Sequence, residues 1–228
     1  MAINVRTREE AAGLRSAGVR QRADRPSQRR SSAETGEGGP RTAHVRAAAR
    51  IKLRAGADTS SMLDFIGHAS VTETPYDMYD WYGPYTEVVS AGAFDVTLAQ
   101  SDLDVPLVLG HDQMRRIART TNDTLRLSMD DEGLLVEADL DPTDLDVQYI
   151  APKLRSGLID EMSFAFRITR GVWSPDYTEY RIDEVEIHRG DVAIVGYGAN
   201  PYTDSGLRAD PKPASSRARA LLELAIAR

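Results

Sequence analysis

From about residue 61 onward, apolar positions recur in short blocks of strand length separated by turn residues. Residues 63–72, 85–89, 105–109, 124–129, 134–140, 162–168, 179–188 and 192–195 read as strands on this basis. In 162–168 the alternation places Met162, Phe164, Phe166 and Ile168 on one face, with Ser163, Ala165 and Arg167 on the other. Asp130-Asp131-Glu132-Gly133 is a hairpin turn between two of the strands. The stretch 74–84, with Tyr76, Tyr79, Trp81 and Tyr82, reads as an aromatic, turn-rich loop. Its aromatics, together with Tyr85, suit packing at the edge of a core better than lining a groove.

Helical spacing is rarer. A short helix is expected over 94–100, after Ala91-Gly92-Ala93-Phe94. A longer one is expected from Asp141, with Pro142 in its first turn, Leu145, Tyr149, Ile150 and Leu154 on one face, and Ser156-Gly157 at its end. Ala199-Asn200-Pro201 is expected to stop the fold. Many strands with two or three helices predict an α+β chain, a β-barrel or sandwich with helices around it.

The first 58 residues have a different texture. Segments 7–16 and 43–53 are compatible with helix, but 24–41 is rich in Pro, Ser, Gly, Arg and Glu and lacks the apolar surface to offset ordering entropy. Residues 1–58 are therefore expected to be a disordered, basic leader, 59–208 the folded domain, and 209–228 a linker with a short amphipathic C-terminal helix. The formal net charge of -7 hides this asymmetry, because 1–55 carry 13 Lys/Arg against 5 Asp/Glu. A basic leader fits an acidic partner, such as weakly held nucleic acid, or plain solvation, whereas the acidic remainder argues against nucleic-acid binding by the folded part. The chain has no cysteine, which excludes disulfides, thiol catalysis and Cys-ligated zinc. Its apolar runs fall short of the roughly 18 residues a membrane span needs, and no apolar signal-peptide core is present, so neither membrane nor export is expected.

Three polar residues interrupt or adjoin the strand-like blocks. His111 follows 105–109, Ser163 lies within 162–168, and Asp191 opens 192–195. A hydroxyl, an imidazole and a carboxylate are the minimum set of a serine hydrolase, and sequence separation does not count against them. Two of them also have a plain structural reading: His111 as a strand end, Ser163 as a small residue bonded to a carbonyl. His44 lies in the leader, His68 near the first strand, and His188 among charged residues. Glu184 and Glu186 compete with Asp191 as the carboxylate, and His188 is an alternative partner for His111. His111-Asp112 alone does not make a metal site, because no further ligand set accompanies it.

Six motifs in order, over about 60% of the chain, carry a family resemblance. They are Phe65-Ile66-Gly67-His68-Ala69; Glu87 through Ala91-Gly92-Ala93-Phe94; 105–112 ending in His111-Asp112; Asp131-Glu132-Gly133-Leu134; Ser156-Gly157 through Met162-Ser163-Phe164-Ala165-Phe166; and 191–201. The stretch resembles the prohead serine proteases of tailed bacteriophages, whose fold is similar to the herpesvirus assemblins. The resemblance implies a mainly antiparallel β-barrel with a few flanking helices. It further implies Ser163 as nucleophile, His111 as general base and Asp191 as third member, with no cofactor. Asp191 stands where the family commonly has Glu, one methylene longer, and Gly198 stands in place of Pro. The implied role is cleavage of scaffold protein, or a scaffold-like segment of the major capsid protein, and of the protease itself, inside the procapsid in the host cytoplasm. Assemblin-like enzymes also suggest a homodimer. The alternative is a non-catalytic scaffold-binding or capsid-assembly module of the same fold.

Overall fold

The computed structural model describes residues 6–31, 62–199 and 204–207. Their strands form two sheets. The larger is built on β10 (Glu179–Val195), a 17-residue strand. β9 (Glu161–Trp173) runs antiparallel along one side of it. On the other side, β4 (Pro84–Val89) pairs in parallel with the first part of β10, and β5 (Pro106–Leu109) pairs in parallel with its last part. β3 (Tyr76–Tyr79) and β1 (Arg30–Ser31) extend the sheet beyond β4, and β6 (Asp112–Arg119) extends it beyond β5. The smaller sheet is antiparallel, in the order β11 (Asp204–Leu207), β2 (Leu63–Val71), β8 (Gly133–Leu140), β7 (Leu125–Met129).

The core lies where the two sheets face each other. Along β8, Leu134, Val136, Ala138 and Leu140 point inward by simple alternation and meet Leu107, Met162, Val192 and Ile194 of the large sheet. One side is closed by the helix Leu145–Ser156 through Val147, Ile150, Ala151 and Leu154. The alternation read in 162–168 holds, since Met162 and Ile168 are core residues and Phe164 and Phe166 pack against them. Tyr76, Tyr79 and Tyr85 are buried, so these members of the aromatic cluster pack rather than line a groove, while Trp81 stays exposed.

The chain is mostly strand with few helices, but the expected barrel does not close among the described residues. β6 and β7 follow one another in sequence yet lie in different sheets. The 3-10 turn between them (Thr120–Asn122) ends on Asp123 in the left-handed region, φ 59°, which turns the chain away instead of continuing the ladder.

Other boundaries shift for local reasons. The long helix begins at Leu145, not Asp141. The Asp144 carboxylate accepts from the backbone of Asp146 (2.7 Å) and Val147 (3.2 Å), while Asp141 closes its own turn onto Thr143. Gly157 ends it in the left-handed conformation, φ 69°, as the Ser156-Gly157 pair predicts. The stretch 74–84 contains β3 rather than only loop. β11 adds a strand after the expected stop at Pro201. The expected C-terminal helix at 217–228 and the helix-compatible 43–53 lie outside the described residues.

The largest difference concerns the leader. Its described part is an ordered strap along the large sheet. α1 (Arg8–Gly18) starts at Thr7 with a capping box: Glu10 N donates to Thr7 Oγ1 (3.1 Å) and Thr7 N donates to Glu10 Oε2 (2.8 Å). Arginines that composition counts as solvated charge are instead paired. The fully buried Arg15 donates twice to Asp80 (2.8 and 2.9 Å) and once to Tyr177 O (2.7 Å), with its guanidinium 4.5 Å from the Trp173 ring centroid. Arg22 exchanges two hydrogen bonds with Trp173, and Arg25 donates to Ile168 O, so the strap occupies the outer edge of β9. Arg29 donates to the buried Glu87, which also accepts from Tyr76 and Tyr85. Burial, reinforced by the Glu87 charge, pushes both tyrosine hydroxyls well above their ordinary range and keeps them as donors.

Candidate active site

The face of the large sheet opposite the main core bears a small apolar patch of Val108, Ala193 and Val195. Ser163 belongs to this face. It lies opposite Ala193 across the β9–β10 ladder, and Ala193 in turn lies beside Val108 of β5. Asp191 lies opposite Ala165, two residues along, so it is a diagonal neighbour of Ser163 on the same face. Such diagonal neighbours lie about 7–8 Å apart, with their Cβ atoms somewhat closer, a gap that an imidazole can bridge.

Two irregularities bring side chains to that gap. The first is the β5–β6 hairpin. Gly110 and His111 form its two-residue turn with φ of 61° and 60°, the type I′ arrangement. Histidine is among the residues enriched in this region, although a non-glycine residue there costs about 1–3 kcal/mol. Gly110 N donates to Ile194 O (2.9 Å), which ties the turn to β10. Across β6, Leu109 pairs with Asp112 but Val108 pairs with Arg116, so 113–115 bulge out of the ladder. The second irregularity is in β10, where the pairing jumps from Glu186↔Arg167 to Asp191↔Ala165. Gly190 lies at its close: a Cβ there would sit 2.0 Å from Ala165 O, so only glycine fits.

His111 and Asp191 meet. His111 Nδ1 lies 2.6 Å from Asp191 Oδ1, with the carboxylate buried (3% side-chain exposure) and the imidazole 39% exposed. A carboxylate can only accept, so Nδ1 carries the proton and Nε2 is the basic nitrogen. Among the described residues Nε2 has no hydrogen-bond partner, and neither does Ser163 Oγ, which is half-buried. The histidine and carboxylate are thus joined. The serine is their neighbour on the sheet face, without a hydrogen bond to the ring.

The competing residues do other work. Glu186 accepts from Thr97 Oγ1 (2.9 Å) and Gln100 Nε2 (2.8 Å), fastening α2 (Asp95–Leu98) and the residues after it to the β10 bulge. Burial opposes ionisation of Glu186, but donation from the His188 backbone, Gln100 and Thr97 outweighs it and holds the carboxyl below its ordinary range. His188 Nδ1 accepts from Asp104 N, and Glu184 accepts from Thr169. Sequence reasoning missed Gln113, whose Nε2 donates to Asp191 Oδ2 at 2.6 Å. No local signal marks it, because it reaches Asp191 only through the hairpin bulge.

This sheet face joins an imidazole to a buried carboxylate and bears a hydroxyl without a hydrogen bond among the described residues, the three residue types that serine hydrolysis uses. A family profile described as Caudovirus prohead serine protease matches residues 49–211, and the chain belongs to that family. Membership gives it a serine-protease character and a role in prohead maturation alongside phage capsid proteins. No curated protein and no solved structure matches the chain. No helix among the described residues is long and apolar enough to cross a membrane.

Proposed function

We propose that the chain is an endopeptidase of phage capsid maturation in which Ser163, His111 and Asp191 form the catalytic set. Ser163 Oγ attacks the scissile carbonyl. His111 Nε2 takes the hydroxyl proton and then delivers it to the leaving amine. Asp191 holds Nδ1–H and stabilises the imidazolium that forms in between. The observation that carries this reading is the 2.6 Å His111–Asp191 hydrogen bond on the face that bears Ser163. Oγ and Nε2 come within hydrogen-bond reach as substrate docks, since catalytic contacts tighten in the Michaelis complex. Asp191 serves where a longer glutamate is common because the Gly110-His111 turn, tied to β10 through Gly110 N and Ile194 O, already holds the imidazole within 2.6 Å of it.

The substrates are the scaffold protein or a scaffold-like segment of the major capsid protein, together with the protease itself, inside the procapsid. Co-expression with the capsid partners tests this. Wild type should shorten and process its partners, while Ser163→Ala should leave every chain at full length. Identical processing by both removes Ser163 from the chemistry. If instead wild type assembles with its partners, leaves them uncut and takes up no fluorophosphonate, the fold serves as a non-catalytic assembly module.

A further inference from the structure

Asp191 is held from two sides, and only one of them is His111. Its second oxygen, Oδ2, accepts from Gln113 Nε2 at 2.6 Å. Gln113 is itself clamped by Arg116, which donates from Nε to Gln113 O (2.8 Å) and from Nη2 to Gln113 Oε1 (3.1 Å). This chemistry fixes the orientation of the amide. Arginine cannot accept and carboxylate cannot donate, so the oxygen must face Arg116 and the nitrogen must face Asp191. The bulge that releases 113–115 from the β6 ladder supplies the reach, and the Asp112 carboxylate, accepting from Met114 N (2.9 Å), shapes that bulge.

We infer that Gln113, oriented by Arg116, is a positioning residue that fixes the Asp191 carboxylate for His111. A buried carboxylate held at one oxygen rotates about its Cβ–Cγ bond, and its other oxygen is left to whatever water reaches it. Held at both, it presents Oδ1 to Nδ1 in one geometry and so fixes the orientation of the imidazole ring. The donor also offsets part of the carboxylate charge that burial leaves uncompensated. Gln113 lies at the surface while Asp191 is 2% exposed, so the amide closes the carboxylate off from solvent. The His111 turn and the Gln113 bulge belong to one hairpin, which carries both the base and the group that aligns the base's partner.

The inference rests on the catalytic reading above, and the two are separable. The full chain is treated with a fluorophosphonate probe and the rate of Ser163 labelling is measured. In parallel, the His111 Nδ1–H proton is followed by NMR. Gln113→Leu should slow labelling about tenfold, the scale of one hydrogen bond to a charged group, and should move the Nδ1–H resonance upfield, while the chain still unfolds cooperatively with a melting temperature lowered by about 3–6 °C, the same loss read as stability. Gln113→Glu, equal in size but unable to donate when ionised, should slow labelling at least as much, which a packing role would not produce. Arg116→Met should give a smaller loss in the same direction. Unchanged labelling and an unchanged resonance in Gln113→Leu, with Asp191→Asn inactive, overturn the role of Gln113 alone. Equal labelling of wild type and Ser163→Ala overturns the catalytic reading, and the resonance then still decides whether Gln113 sets the His111–Asp191 geometry.

Discussion

Replacing Arg15 by methionine removes the guanidinium that ties the N-terminal strap to the domain while keeping most of the apolar stem. The loss is large because both partners are out of water: the side chains of Arg15 and Asp80 are 0% and 1% exposed. Breaking a buried pair by deleting one partner costs about 3–5 kcal/mol, most of it the penalty of the charge left behind. Asp80 keeps two donors after the substitution, the backbone N–H groups of Tyr82 (2.9 Å) and Gly83 (3.1 Å), which puts the expected cost near the lower end, about 3 kcal/mol. Loss of the contact to the equally buried Trp173 adds about 2 kcal/mol, the scale of a desolvated cation–π pair. Pairing Arg15→Met with Asp80→Asn removes the stranded charge and preserves an acceptor for the turn. The double variant should therefore regain about 1–2 kcal/mol relative to Arg15→Met alone. Urea unfolding followed by tryptophan fluorescence reads the effect directly, because Trp173 is fully buried beneath the strap whereas Trp81 is 65% exposed. A shift below about 1 kcal/mol for Arg15→Met, the scale of an ordinary surface change, would show that the strap is an accessory. A double variant no more stable than the single one would show that the buried charge is not what Arg15 offsets.

Two further outcomes follow from the β10 bulge. Gly190→Ala forces a Cβ to within 2.0 Å of Ala165 O and 3.0 Å of Ile187 O, so the bulge must open. It should cost about 2 kcal/mol in urea unfolding and lower fluorophosphonate labelling of Ser163 more than tenfold, through displacement of Asp191. Glu186, whose carboxyl is held below its ordinary range, contributes stability that is present at neutral pH and lost as pH falls through its folded-state value. Glu186→Gln should therefore melt lower than wild type near pH 7 and converge with it toward pH 3, measured by thermal unfolding across that range. A constant difference would place the effect outside its ionisation.

What could be read from the chain and what could not divides along a physical line. Strand blocks such as Leu134–Val136–Ala138–Leu140 declare themselves because one face is buried and the other wet, and burial selects residue type at every second position. Gly133 is legible from its turn, where φ 157° favours glycine, whereas the second demand for it, Ser70 O at 2.0 Å from a Cβ, comes from β2 and leaves no local mark. His111 and Asp191 are legible as polar residues at the ends of buried blocks, whereas the contact between them depends on the hairpin and the β10 bulge, both tertiary features with no local pattern. The strap is the opposite case. Arg15, Arg22, Arg25 and Arg29 look like solvated charge because composition averages over neighbours, yet each meets a carboxylate or carbonyl far away in sequence: Asp80, Trp173 O, Ile168 O and Glu87. Glu87 makes the point most sharply. In the sequence it is the one charged residue of β4, without a partner in view. In the fold it is fully buried, and a leader arginine and two tyrosines supply its hydrogen bonds, so the strap completes the polar accounting of the core. Among the described residues, 6–31 and the large sheet therefore share one set of hydrogen bonds, whatever the composition of that segment suggests.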